Sequence, residues 1–236
     1  MQMWWRRLGA LLSAIANWRF FKPAVFVACS VPLVLLAVGF ARYLFFGDPD
    51  ALGIDPVKTL EHETGEDALG LVVIGLCVTP VRRLLGVNRL QLVRRMIGVW
   101  AFAYACVHVL VYLSFDRNCI ALSTCQYGEI WTDLVKRKFI FVGMLAFTLL
   151  LLLAITSTKG WQRRLKKRWT TLHRLVYVAA IAGVVHYVWG QKSDISEPLK
   201  WAGYVAVLLG IRVYFAWKKA LGLRPQASGK PPVLAS

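Results

Sequence analysis

Six stretches of this chain stay apolar for long enough to cross a bilayer, and that property removes almost every fold from consideration. Inside hydrocarbon each backbone N–H and C=O must be satisfied within the protein, so only helices and closed barrels span. A spanning helix needs about 20 largely apolar residues, and a barrel strand about 10 alternating ones. The runs here are continuous rather than alternating: 24–46, 67–80 or on to 85, 96–115, 139–156, 172–190 and 199–217. They predict an all-α, polytopic membrane protein with six transmembrane helices in a bundle. The second run is short and closes on Thr79-Pro80, so a tilted or incomplete crossing is expected there. A mean hydropathy of +0.54 points the same way.

Charge orients the bundle. The net charge of +17 would suggest nucleic acid in a soluble protein, but here it is sorted by segment, and no nucleic-acid partner is expected. One set of connections carries Arg6, Arg7, Arg19 and Lys22, then Arg82 to Arg95, then Lys159 to Arg168, then Lys218 to Lys230, without a single acid. All 12 Asp and Glu fall in the opposite set, 47–67, 116–138 and 191–198. Six spans with both termini on the basic side satisfy this sorting, and the positive-inside rule makes that side cytoplasmic. Residues 1–22 read as a cytoplasmic interfacial segment, since Arg19 and Lys22 interrupt any signal-peptide pattern. Residues 23–217 form the transmembrane domain, and the Pro/Gly-rich 218–236 reads as a disordered cytoplasmic tail. Cys29, Cys77 and Cys106 lie in spans and read as packing residues. Cys119 and Cys125 share one acid-side loop, either as a disulfide or as two free thiols. With no Cys-x-x-Cys-His, covalently attached haem is not expected.

Three of the four histidines, His108, His173 and His186, lie within spans, where an ionisable side chain is costly and marks function. His108 is 14 residues past Arg94, about 21 Å along a helix. His173 is five residues past Arg168, about 7.5 Å, and His186 is 18 past it, about 27 Å. His108 therefore matches His186 in depth. Gly98, Ala101 and Ala105 precede His108 on its face, and Ala179, Ala182 and Gly183 precede His186 on its own. Small residues beside a histidine make room for a flat macrocycle, or simply let helices pack closely. Two such stripes, each ending in a histidine at one depth, favour a haem b with His108 and His186 as axial ligands of its iron. His173 points about 140° away from His186 on an ideal helix. It reads as a ligand of a second haem or as a hydrogen-bonding partner of a flavin or quinone. A second haem would meet Arg94 where a partner histidine is wanted, and an arginine there suits a haem propionate. His62 falls outside the spans and reads as a surface or interface histidine, with a proton-accepting role near an outer quinol site as the alternative.

The ordered motifs resemble a known family. They are Asp55-Pro56-Val57 with His62-x-Thr64-Gly65, then Thr79-Pro80, then Arg94-Arg95-x-x-Gly98-x-Trp100-x-Phe102-x-Tyr104-x-x-x-His108. Thr156-Ser157-Thr158, Lys167-Arg168-Trp169-x-x-Leu172-His173-x-x-x-Tyr177 and His186-Tyr187-x-Trp189 follow. Together, over about residues 50–190, they resemble the MsrQ (formerly YedZ) family of the ferric-reductase-like transmembrane superfamily. The resemblance implies a bacterial inner-membrane, multi-pass haem b protein, also described as binding FMN. It implies electrons taken from quinol and passed to MsrP, a periplasmic molybdopterin enzyme that reduces methionine sulfoxide in oxidised proteins. His108, His173 and His186 match the family's haem-associated histidines. Oxidases of the wider superfamily carry two histidines on each of two helices, whereas this chain has Arg94 in place of one. FMN rests on the resemblance alone. Two other readings stay open: a self-sufficient transmembrane metalloreductase, and a non-redox haem sensor or assembly protein. Either way the chain has no Walker loop, dinucleotide fingerprint or soluble dehydrogenase domain of its own.

Overall fold

Asp55 and Pro56 start the helix that organises the bundle. The Asp55 carboxylate accepts from the Lys58 N–H at 3.1 Å, and Pro56 occupies the first turn, where its missing N–H costs nothing. The helix runs unbroken to Leu85 and stops at Gly86, whose φ of 74° places it in the left-handed region. The second crossing is therefore neither short nor closed at Pro80. It is 30 residues long, begins eleven residues before the apolar run, and carries His62 on the helix itself rather than outside the spans. Polarity hid this start: the segment is acidic because it borders a polar cavity mouth, not because it is a loop.

The computed structural model describes residues 2–120, 123–191 and 194–221. Among them there are helices and no strands, in the order α1 (Gln2–Asn17), α2 (Phe21–Phe46), α3 (Pro56–Leu85), α4 (Gln91–Val111), α5 (Tyr127–Lys136), α6 (Lys138–Ile155), α7 (Lys159–Leu165), α8 (Lys167–Leu172), α9 (Leu175–Gly190) and α10 (Ser196–Ala220). Six segments are long and apolar enough to cross: α2, α3, α4 with its continuation to Asp116, α6, α8 with α9, and α10. The tail expected to be disordered lies, from residue 222 on, outside the described residues. Cys119 and Cys125 form a disulfide, so the free-thiol reading falls.

The main apolar core joins α3, α4, α9 and α10 through Leu76, Ala101, Ala180, Val184 and Leu208. Helix α2 lies outside this core, with Val27, Val31, Leu35 and Val38 exposed as a lipid-facing surface requires. Two prolines interrupt the spans, and each is repaired from a neighbouring helix. Beside Pro32 in α2, the fully buried Tyr104 places its hydroxyl between the Leu33 N–H (2.9 Å) and the Cys29 carbonyl (2.8 Å), replacing one lost turn bond. In α3, Pro80 has no N–H for the carbonyl of Leu76, four residues back. Arg212 of α10 donates to that carbonyl at 2.6 Å instead. In hydrocarbon there is no water to do this, so the neighbours must.

Between α4 and α6 the chain is tied down by charge. Asp133 is buried and accepts from the Tyr112 hydroxyl at 2.7 Å, from Arg117, and from Arg137 at 3.0 Å. Burial pushes the Asp133 carboxyl up, but these hydrogen bonds and the Arg117 and Arg137 charges outweigh it and hold it below its usual range. The Tyr112 hydroxyl and Asp133 in turn hold the Arg117 guanidinium above its ordinary value.

Candidate functional site

His108 on α4 and His186 on α9 face each other across the bundle, ring centroids 6.1 Å apart and planes at 83°. Each is aimed by one backbone carbonyl. The Nδ1 of His108 lies 2.8 Å from the carbonyl of Glu61, and the Nδ1 of His186 lies 2.8 Å from that of Phe139. A carbonyl oxygen only accepts, so each Nδ1 carries the proton and each Nε2 keeps its lone pair. A helical carbonyl already bound within its own helix has a second lone pair, but the side chain four residues on leans back over it. At both sites that residue is glycine. A Cβ on Gly65 would lie 3.1 Å from the His108 ring, and one on Gly143 only 2.5 Å from Nδ1 of His186. The two glycines are the floor on which the imidazoles lie.

The two halves repeat. Phe139, Gly143 and His186 each follow Glu61, Gly65 and His108 by 78 residues, and both histidine-to-carbonyl bonds span 47 residues. A cavity of about 400 Å³ lies between α3, α4, α6 and α9, and its lining obeys the same offset. Ala68, Leu69, Val72 and Ala105 have lining counterparts in Ala146, Phe147, Leu150 and Gly183. The site thus has an internal two-fold character, with one imidazole from each half. Two imidazoles on opposite sides of one metal, each bond about 2 Å long, put ring centroids roughly 6 Å apart, as found here. The residues therefore fit a metalloporphyrin: two lone pairs, a flat slot floored by glycine and alanine, and an apolar interior.

The small-residue stripes meet the slot only in part. Ala105, Ala179 and Gly183 line it. Ala101 is instead packed in the core, Gly98 has open space beside it, and Ala182 is buried outside the slot. The missed half was α6: Gly143, Ala146 and Phe147 sit in a uniformly apolar run with no histidine to draw attention. The 78-residue echo was the available signal, but few of the paired residues are identical.

His173 stands elsewhere. Its ring stacks on Trp169 with centroids 3.9 Å apart, its Nδ1 lies 3.2 Å from the Trp169 carbonyl, and its Nε2 lies 3.4 Å from Ser157 Oγ. Among the described residues no imidazole faces it. The internal repeat explains this, because the counterpart of His173 at the 78-residue offset is Arg95. Arg94 does not line the slot either.

At the mouth of the slot the lining turns polar, with Lys58, Glu61, His62, Glu66, Asp116 and Arg137. His62 bridges helices: the Tyr187 hydroxyl is 3.0 Å from its Nε2, and its Nδ1 is 3.5 Å from Glu66. Trp201 of α10 donates to Glu66 at 2.8 Å. His62 is thus an interface histidine on α3.

A helical membrane bundle with facing intramembrane histidines defines the class, and the family described as ferric reductase like transmembrane component matches residues 65–184. Curated relatives cover most of the chain. The protein-methionine-sulfoxide reductase heme-binding subunit MsrQ of Xanthomonas euvesicatoria is 43% identical over 89% of this chain and 92% of its own length. Those of Xanthomonas campestris (45% identical, 89% of this chain, 93% of its own) and Rhodospirillum rubrum (42%, 91% and 94%) are similar. The chain belongs to the MsrQ family of ferric-reductase-like transmembrane proteins.

Proposed function

We propose that this chain is the haem-binding membrane subunit of a protein-methionine-sulfoxide reductase system, taking electrons from the quinone pool and delivering them to the periplasmic molybdopterin reductase MsrP. The observation that carries this reading is the His108–His186 pair, two proton-fixed imidazoles 6.1 Å apart over glycine floors. His108 and His186 would hold a haem b, which would supply one-electron transfer there. The chain's own part is to hold both Nε2 lone pairs at the right separation and to exclude water with Leu69, Val72, Phe147 and Leu150. Lys58 and Arg137, the basic residues at the mouth, would take the haem carboxylates.

The placement in a bacterial inner membrane, with both termini and α1 on the cytoplasmic side, is supported by the charge sorting and by the disulfide on the acidic side. The outer end of the slot then faces the periplasm. FMN enters only through the family resemblance. A second haem at His173 would have to take a ligand other than a facing imidazole.

Replacing either of the two facing histidines tests the reading. In purified protein, His108→Ala and His186→Ala should each abolish the low-spin haem signal in reduced-minus-oxidised spectra. His173→Ala should leave that signal substantially in place. Full low-spin haem in either of the first two variants would remove the pairing. A wild-type protein without redox-active haem would favour an assembly role. Rapid anaerobic reoxidation by ferric chelate, but not by MsrP, would favour the metalloreductase reading.

A further inference from the structure

At the mouth of the slot one chain of polar contacts runs from α9 through α3 to α10. The Tyr187 hydroxyl lies 3.0 Å from Nε2 of His62, and Nδ1 of His62 lies 3.5 Å from one Glu66 oxygen. Trp201 donates to the other Glu66 oxygen at 2.8 Å. Tyr187, His62 and Glu66 all line the cavity. A carboxylate only accepts, so Glu66 draws the proton-bearing nitrogen of His62, and that nitrogen is Nδ1. Nε2 is then the acceptor of the Tyr187 O–H. The order is hydroxyl, imidazole, carboxylate, the order in which a catalytic triad takes a proton from a hydroxyl.

That order decides what this part of the mouth can bind. The proton of Tyr187 is committed to His62, so its oxygen offers the slot a lone pair and no donor. Gln191, which also lines the mouth, reaches the same hydroxyl and leaves one lone pair open. An anion, a haem carboxylate included, has nothing to accept from this hydroxyl, whereas a ligand that donates an O–H does. Beneath the mouth the lining turns apolar, so the donor must be carried on an apolar ring or chain. A dihydroxy aromatic head group on an apolar tail meets both demands. The side chains of His62 and Glu66 keep 36% and 27% of their surface exposed, so a proton that reaches them has a way out at the acid-bearing end.

We propose that Tyr187, His62 and Glu66 form the proton-accepting relay of a quinol-oxidation site at the mouth of the slot. This rests on the quinol-fed reading above and adds where the quinol is held and where its protons go. The first quinol O–H bond breaks toward the Tyr187 oxygen while the Tyr187 proton passes to Nε2 of His62. His62 sheds its Nδ1 proton by way of Glu66 to solvent, and the second O–H proton follows the same route. The two electrons leave singly to oxidised haem b, and the ring is left as the quinone. Tyr187 ends each passage with the proton count it began with.

The test compares two electron donors on the purified, haem-loaded protein: menadiol, a quinol with two O–H protons to lose, and reduced methyl viologen, which has none. Haem reduction is followed by stopped-flow absorbance. Tyr187→Phe and His62→Gln should each slow reduction by menadiol at least about tenfold, the lower side of what a positioned base contributes. Reduction by methyl viologen and the low-spin spectrum should not change. Heavy water should slow the menadiol reaction of the wild type and not the viologen one. A second readout needs no electron transfer: binding of a hydroxyquinoline N-oxide, a fluorescent quinol analogue, should weaken at least severalfold in Tyr187→Phe. If menadiol fails to reduce a wild-type protein that methyl viologen reduces, the quinol-fed reading itself falls and takes the relay with it. If menadiol reduces wild type and both variants equally, with analogue binding unchanged, the relay alone is overturned. Equal slowing with both donors, or loss of the low-spin spectrum, would reduce these residues to a clamp between helices and overturn it as well.

Discussion

Gly143 carries more of the site than any residue except the histidines themselves. A methyl group there would sit 2.5 Å from Nδ1, 2.7 Å from Cε1 and 3.0 Å from Cγ of His186, closer than atoms approach without one of them moving. The ring must tilt off the Phe139 carbonyl, and the proton is then no longer held at Nδ1. Gly143→Ala should therefore convert the low-spin haem spectrum to a mixed or high-spin one in a protein that still folds. Gly65→Ala, with contacts of 3.1 Å, should do so more weakly. Equal, unperturbed spectra in both variants would show that the glycine floor is not what orients the imidazoles. The histidines were legible in the sequence because an ionisable group in an apolar run stands out. The glycines were not, since Gly143 among Phe, Val, Met and Leu looks like any small packing residue. Only the partner helix, 43 residues further on, gives it a role.

Helices α3 and α5 show how polar contacts decide the behaviour of single elements. If Arg212 repairs the gap left by Pro80, the two substitutions must be coupled. Arg212→Gln alone should destabilise the protein in detergent by roughly 2 kcal/mol, because the Leu76 carbonyl loses the Arg212 donor in an apolar setting. In a Pro80→Ala background the restored N–H satisfies that carbonyl, and the same change should cost about 1 kcal/mol less. Identical costs in both backgrounds, measured by thermal unfolding, would show that the repair contributes nothing. Helix α5 depends instead on the Asp133 carboxylate. Its folded value is depressed below the roughly 3.9 of an unfolded aspartate. The stability it contributes is thus fully present above about pH 4 and is lost as pH falls through the lower folded value. Pepsin cleavage within 117–137 should stay slow down to about pH 4 and accelerate below it, whereas Asp133→Asn should be cleaved readily at pH 5. The helix itself was hard to foresee, because its ten residues are too few to span and its anchors, Tyr112 and Arg117, lie outside it.

For the whole molecule, charge is where the proposed sidedness and the proposed partner can be tested. The acid-bearing segments 47–67, 116–138 and 191–198 surround the mouth of the slot, the end from which electrons would leave to MsrP. Docking through exposed carboxylates should weaken with salt, since the Debye length falls from about 10 Å at 0.1 M to about 3 Å at 1 M. Chemically reduced protein should be reoxidised by MsrP, and faster at low salt than at high. No acceleration at any ionic strength would remove MsrP as the partner. Acceleration without salt dependence would keep the partner and discard the acidic docking face.

Hydrophobic length, charge sorting and histidine depth are properties of the chain read along its length, because the bilayer imposes one dimension on it. From them follow six crossings, the basic and acidic ends, and the matching levels of His108 and His186. What the tertiary structure alone decided lies across that axis. It decided which face of α3 meets α4 and which face of α6 meets α9. It set which backbone carbonyl aims each imidazole and the repair of Pro32 and Pro80 by Tyr104 and Arg212. In lipid the hydrophobic effect does not distinguish one helix face from another, so those choices fall to close packing and to polar groups that must find partners without water.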